Sequence, residues 1–248
     1  MPEGKIPAPL LDAAAEARRV VVLTGAGISA ESGVPTFRDA QTGLWARYDP
    51  QQLATPEAFE RDPGLVWAWY RWRRELTARV EPNAAHHALT RWQRRRPGLC
   101  VVTQNVDGLH QRAGTEGVVE LHGSLSRTLC SAERCMVEDW AEPDDGAPRC
   151  PCCGAYLRPG VVWFGESLPE QAVAAALQAV GSAELVLSVG TSSLVQPAAS
   201  LPGEALRRGV PVVEINPAET PLSPEASWSI RGAAAEVLPM LVDSLNLG

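Results

Sequence analysis

Four of the six cysteines form two pairs. Cys130 and Cys135 have four residues between them, Cys150 and Cys153 have two, and residues 136–149 separate the pairs. Thiolates at this spacing suit one tetrahedral zinc ion. Four sulfur ligands leave no open coordination position, so such a site is structural: it holds together a segment too small to bury a core and does not activate water. The Cys-Pro-x-Cys-Gly register, closed by Gly154, favours Cys150 and Cys153, although the adjacent Cys152 can substitute as a ligand. Cys100 lies in an apolar run and reads as core. The expectation is one zinc per chain.

A second chemical feature is Gly25-Ala26-Gly27-Ile28-Ser29-Ala30, directly after the apolar run Val20 to Thr24. It fits G-x-G-x-x-G/A, in which glycines admit a pyrophosphate close to the backbone and a following helix offers unpaired N–H groups. No acidic residue ends a second strand about 20 residues on, as an ordinary dehydrogenase would have it. Among the four histidines, His122 stands out because it follows the run Val118 to Leu121, and the carboxyl ends of parallel strands line the ligand crevice. A neutral imidazole there can accept a proton. His86 and His87 open a helical run and read as packed or surface residues, while His110 caps or packs the segment after Gln104-Asn105-x-Asp107.

These groups need a scaffold. Short β-branched runs at Val20 to Thr24, Leu99 to Thr103, Val118 to Leu121, Leu185 to Val189 and Val210 to Ile215 read as buried strands. Helical patterns run from Ala8 to Arg18, Pro63 to Val80, Ala84 to Arg95, Pro169 to Val180, Pro202 to Arg208 and Glu236 to Leu245. This alternation predicts an α/β fold with a parallel sheet covered on both faces. Two stretches break the rhythm: Ala40 to Val80, Trp-rich and helical, and Ser126 to Pro159, short and Cys-rich. Both are expected to form a smaller lobe by insertion. The division is residues 1–39, 84–125 and 160–248 for the sheet domain, and 40–83 and 126–159 for a small helical and zinc-binding domain.

Composition narrows the classes. The 248 residues carry 22 Lys plus Arg against 29 Asp plus Glu, a net charge of −7, which disfavours a general nucleic-acid binder. No apolar stretch is long enough to span a bilayer, and the start MPEGKIPAPL lacks the order of a secretory signal, so a cytoplasmic location is expected. In that reducing setting, metal binding is a better reading of paired cysteines than disulfides.

The continuation Glu31-Ser32-Gly33-Val34-Pro35-Thr36-Phe37-Arg38-Asp39 is foreign to Rossmann oxidoreductases. Gly25 to Asp39 closely resembles the signature of the sirtuins, the NAD-dependent protein-lysine deacylases. The resemblance continues through Thr103 to His110, Leu121-His122-Gly123, the paired cysteines, Val162-Trp163-Phe164-Gly165-Glu166 and Gly190-Thr191-Ser192, from about Val20 to Ala234. It implies a Rossmann-like NAD domain with a smaller helical plus zinc-ribbon domain. It also implies cofactor contacts from Gly25, Ala26, Gly27, Ile28, Ser29, Glu31, Ser32, Pro35, Phe37, Arg38, Asp39, Gln104, Asn105, Val106, Asp107, Gly190, Thr191, Ser192, Asn216 and Ala234. The implied chemistry begins when an acyl-lysine carbonyl oxygen attacks the NAD ribose and nicotinamide leaves. His122 then acts as general base on a ribose hydroxyl, which attacks the resulting imidate; water frees the lysine amine, and the product is 2′-O-acyl-ADP-ribose.

Within the helical excursion, Tyr70 and Arg73 are three residues apart and share a helix face. A phenol and a guanidinium together suit a carboxylate, and the bland alternative is a solvated arginine cluster. Tyr-x-x-Arg at this place resembles class III sirtuins, which implies removal of succinyl, malonyl or glutaryl groups, with deacetylation alongside. The resemblance further implies that the substrate peptide docks along Val162 to Glu166, contacting Val162, Phe164 and Gly165. Two other readings compete: transfer of ADP-ribose to protein, and a non-catalytic zinc-ribbon binding module.

Overall fold

Runs such as Val20 to Thr24 leave almost nothing polar to face water, so they persist only where both faces of the sheet are covered. The computed structural model describes residues 6–35 and 48–245. Its strands are β1 (Val20–Thr24), β2 (Leu99–Thr103), β3 (Val119–Glu120), β4 (Gly123–Cys130), β5 (Leu157–Val161), β6 (Leu185–Val189), β7 (Val212–Ile215) and β8 (Trp228–Ile230). Six of them form one sheet in the order β3-β2-β1-β6-β7-β8, parallel at every pairing. The strand order reverses beside β1, the kind of switch point at which open α/β sheets bind ligands.

The helices are α1 (Ala8–Glu16), α2 (Pro50–Leu53), α3 (Pro56–Arg61), α4 (Pro63–Arg79), α5 (Ala84–Arg95), α6 (Leu109–Arg112), α7 (Glu170–Ser182), α8 (Leu201–Arg207) and α9 (Ala234–Ser244). Alternation along each strand sends successive side chains to opposite faces. Val20, Val22, Leu185 and Leu187 meet Leu10 of α1, Leu89 and Trp92 of α5 and Leu238 and Leu241 of α9. Val21, Leu23 and Val186 meet Val180 of α7 and Leu201 and Ala205 of α8.

Two further apolar clusters lie elsewhere. Phe59, Val66, Trp69 and Tyr70 gather with Leu125, Val161 and Trp163, while Trp67 packs with Cys130, Cys150 and Leu157. One helix, α4, therefore serves both. It starts cleanly because the Asp62 side chain accepts a hydrogen bond from Leu65 N at 2.9 Å.

Three corrections to the sequence reading arise here. The Cys-rich stretch is bounded by an antiparallel pair, β4 with β5, whose bulged register, together with Pro159 and Gly160 inside β5, hides the strand pattern. The short strand β8, only Trp228–Ile230, was not expected. After β1 the chain forms a 3-10 helix, Ala26–Ser32, rather than an α-helix, and Gly33 at φ 86° turns it back. Among the described residues, no helix is long and apolar enough to cross a membrane.

Candidate active site

The glycines after β1 meet another stretch of backbone. Gly27 N donates to the Gly190 carbonyl at 2.9 Å and Gly25 N to that of Val189 at 3.1 Å. A Cβ on Gly27 would lie 2.7 Å from Gly190 Cα, and one on Gly190 2.5 Å from Ile28 N. The glycines thus let the loops after β1 and β6 interlock. Ser32 Oγ, inside this turn, is buried and has no hydrogen-bond partner among the described residues. Such an atom is costly unless a ligand or water satisfies it. Side-chain-free glycine backbone and an orphaned hydroxyl fit a dinucleotide.

The loop after β2 is fastened to the same turn. Asn105 Nδ2 donates to the Gly25 carbonyl at 3.0 Å and to Ser29 Oγ at 3.3 Å, and Ser29 Oγ donates to Asp107 Oδ2 at 2.8 Å. Gln104 N is bound to the Thr24 carbonyl at 2.9 Å. Burial raises the Asp107 carboxyl above its usual range, opposed by the Leu109 N–H, the Ser29 hydroxyl and the Arg73 charge. Val106 packs toward the aromatic cluster.

His122 follows β3 and is half-buried. Its Nδ1 lies 3.0 Å from the Gln104 carbonyl, an oxygen that can only accept. Nδ1 therefore carries the proton and Nε2 keeps a lone pair. Burial lowers the imidazole pKa below its ordinary value, with the Gln104 contact working the other way. Its backbone carbonyl accepts from Val162 N at 2.9 Å, which joins the loop after β5 to the histidine.

Gly190, Thr191 and Ser192 follow β6, and Asn216 follows β7, with Asn216 Nδ2 donating to the Thr191 carbonyl at 2.6 Å. Ala234 is the buried first residue of α9. Glu31 is exposed and Pro35 half-buried, whereas Phe37, Arg38 and Asp39 lie outside the described residues. The other expected cofactor residues stand at the carboxyl ends of the parallel strands.

Tyr70 is buried, and its hydroxyl accepts from Trp163 Nε1 at 3.1 Å. The Arg73 guanidinium carbon lies 5.0 Å from the Trp69 ring centroid and 5.6 Å from that of Tyr70, and its charge acts on Asp107. Arg73 is half-buried against these rings. Val162 is half-buried, and Phe164 and Gly165 are exposed. The N–H groups of Val162, Trp163, Phe164 and Glu166 already bind His122, Glu166, Ala54 and Trp163, so strand-like pairing by a peptide has only the remaining backbone groups to use.

The Sir2 family model matches residues 25–197, more than half of the chain. The chain belongs to the Sir2 family. It is 50% identical to an NAD-dependent protein deacylase of Methylococcus capsulatus across 96% of both chains. It is 49% identical to NAD-dependent protein deacylase 1 of Archaeoglobus fulgidus over 94% of this chain and 95% of that one. The crystal structure of a Sir2 homologue–NAD complex superposes with a TM-score of 0.93 at 47% identity, covering 99% of this chain and 97% of the other. A Sir2 complex with a p53 peptide and NAD+ gives 0.85 at 32% identity, over 96% and 98%.

In this Sir2 chain Cys130, Cys150 and Cys153 bring their sulfur atoms within 4.8 Å of one another, in an arrangement fit for zinc. Cys135 is exposed and outside that group, but its carbonyl accepts from Cys130 N at 3.0 Å. Cys152 is exposed and does not join them. Sequence reasoning passed over Asn83, the cap of α5, whose Nδ2 holds the Ile28 carbonyl at 2.8 Å, and Trp163 with its neighbours Arg158 and Glu166. The first was visible as an N-cap residue; the tryptophan stood inside a matched motif. His86, read as a packed or surface residue, and His110, read as capping or packing its helix, are both buried, with ring centroids 4.9 Å apart.

Proposed function

We propose that this chain is an NAD-dependent protein-lysine deacylase that removes succinyl, malonyl and acetyl groups, releasing nicotinamide and 2′-O-acyl-ADP-ribose. The observation that carries this reading is the Gln104–His122 contact, which leaves an unprotonated Nε2 at the crevice where the loops after β1, β2 and β6 meet. Bound NAD supplies an electrophilic ribose carbon with nicotinamide as its leaving group. The residues from Gly25 to Asp39 together with Gly190, Thr191, Ser192, Asn216 and Ala234 hold the dinucleotide. Gln104, Asn105, Val106 and Asp107 hold the ribose and nicotinamide side. His122 is the general base that takes the proton from a ribose hydroxyl.

On the acyl side, Tyr70 and Arg73 receive the far end of the acyl chain, and a carboxylate there gains charge-assisted hydrogen bonds that an acetyl group cannot make. The peptide lies along Val162, Phe164 and Gly165. Cys130, Cys135, Cys150 and Cys153 hold a structural zinc ion, with Cys135 the fourth ligand because its backbone is tied to Cys130. We read residues 1–39, 84–125 and 160–248 as the NAD domain, and 40–83 and 126–159 as the small domain. The cluster of Trp67, Cys130, Cys150 and Leu157, which lies wholly within 40–83 and 126–159, supports that division, while the cluster around Tyr70 bridges it through Leu125, Val161 and Trp163. Six unpaired cysteines agree with a cytoplasmic setting.

The deciding experiment incubates the protein with acetyl-lysine and succinyl-lysine peptides, with and without NAD, and weighs the products. Loss of the acyl mass only with NAD is the expected result. A gain of ADP-ribose mass, or loss without NAD, would overturn the reading.

A further inference from the structure

Tyr70 and Trp163 are 93 residues apart in sequence, yet the indole Nε1–H is 3.1 Å from the phenol oxygen. An indole N–H can only donate, so this oxygen is the acceptor. The indole therefore takes an acceptor position of the phenol oxygen. The Arg73 guanidinium carbon lies 5.6 Å from the Tyr70 ring centroid, and its charge acts on the phenol. The remaining valence is the hydroxyl proton itself, for which the described residues offer no acceptor. Burial pushes the Tyr70 pKa up to about 12, so the proton stays in place at neutral pH.

Trp163 is held on every side. The Arg158 guanidinium carbon lies 3.5 Å from its ring centroid, and the Phe59 ring stands 5.1 Å away. Arg158 is 3% exposed and grips both Glu166 oxygens, at 2.6 and 2.8 Å. Glu166 also accepts the backbone N–H of Trp163 at 2.9 Å and a bond from Arg134, in the Cys130–Cys135 knuckle, at 3.0 Å. The indole therefore cannot swing away from Tyr70 without losing its stacking on Arg158 and its contact with Phe59.

We propose that Trp163 is a positioning residue for acyl selectivity: by occupying an acceptor position of Tyr70, it aims the Tyr70 O–H at the carboxylate of a dicarboxylic acyl group. The inference rests on the acyl preference proposed above. Acetyl-lysine, lacking that carboxylate, is indifferent to the direction of the hydroxyl.

The test is a double-mutant cycle of Trp163→Phe and Tyr70→Phe, read as kcat and KM on succinyl-lysine and acetyl-lysine peptides. Trp163→Phe should lower kcat/KM for the succinyl peptide by about three- to tenfold, mainly through KM, and leave the acetyl peptide within about twofold. In the Tyr70→Phe background the same change should have no further effect on the succinyl peptide. Equal losses on both peptides, or a loss that persists without the Tyr70 hydroxyl, would overturn the proposal. Site-specific replacement of Trp163 by 3-benzothienylalanine, which keeps the ring shape and removes the N–H, gives the same readout should Trp163→Phe fail to fold. Arg73→Met separates the two levels. If it abolishes succinyl preference while Trp163→Phe does not alter it, only this inference falls; if Arg73→Met leaves the preference intact, the acyl reading beneath it falls too.

Discussion

The carbonyl oxygen of Gln104 stands 3.0 Å from Nδ1 of His122 and fixes which ring nitrogen holds the proton. Because burial outweighs this contact and lowers the His122 pKa, the working neutral form persists below the ordinary imidazole value. The acid limb of a kcat/KM profile should therefore fall below about pH 6.5. His122→Tyr should cut deacylation by about 10²-fold or more while leaving the thermal melting curve in place. An acid limb above the free-imidazole value would contradict this account.

Arg73→Met removes the guanidinium that acts on both Tyr70 and Asp107. Losing one partner of a desolvated charge pair costs about 2–5 kcal/mol, so the ratio of desuccinylation to deacetylation should fall at least tenfold. Parallel steady-state assays on matched peptides measure it.

Gly190 and Gly209 both have positive φ, 61° and 74°, but differ in their surroundings. A Cβ at Gly190 meets Ile28 N at 2.5 Å, whereas one at Gly209 meets nothing within 4 Å. Gly209→Ala should cost only the conformational strain, about 1–2 kcal/mol. Gly190→Ala should add about 1–3 kcal/mol for crowding and also weaken NAD binding, since it forces the two loops apart. Denaturant titration and NAD calorimetry on both variants decide it.

The converging sulfurs of Cys130, Cys150 and Cys153 predict one equivalent of zinc per chain in protein purified without chelator. Cys153→Ser should lose the metal and lower the melting temperature. Cys152→Ser, at the exposed neighbour, should retain both. Metal analysis by mass spectrometry with parallel melts would expose a reversed outcome.

His86 and His110 are buried, and burial lowers their pKa values to about 4 and about 3. In the unfolded chain both would titrate near 6.5, so between those values the unfolded state binds more protons and stability rises with pH. The stabilising effect of keeping them neutral is complete above about pH 6.5 and is lost progressively below it. Unfolding free energies measured from pH 7 to pH 4 should fall, with a shallower slope in His86→Gln.

Much of this was legible beforehand because fully buried parallel strands announce themselves: β1, β2 and β6 have the limits read from their apolar runs, and α5 those read from its periodicity. The Gly25, Gln104 and Gly190 segments could be placed at one end of the sheet for the same reason. What escaped was structure that depends on distant partners. The β4–β5 pair carries a bulge and a proline, so no local pattern marks it. The contacts of Trp163 with Tyr70 and of Asn83 with Ile28 link residues whose proximity only the assembled chain reveals. The mutual contact of the buried His86 and His110 rings is likewise invisible to local pattern.

The position of β1 between β2 and β6 has a consequence for biosynthesis. A ribosome releases β1 and β2 early, but one side of β1 stays unpaired until residues 185–189 emerge. Through most of translation the nascent chain thus carries an open, valine-rich strand edge, the kind of surface that chaperones shield and that aggregates readily.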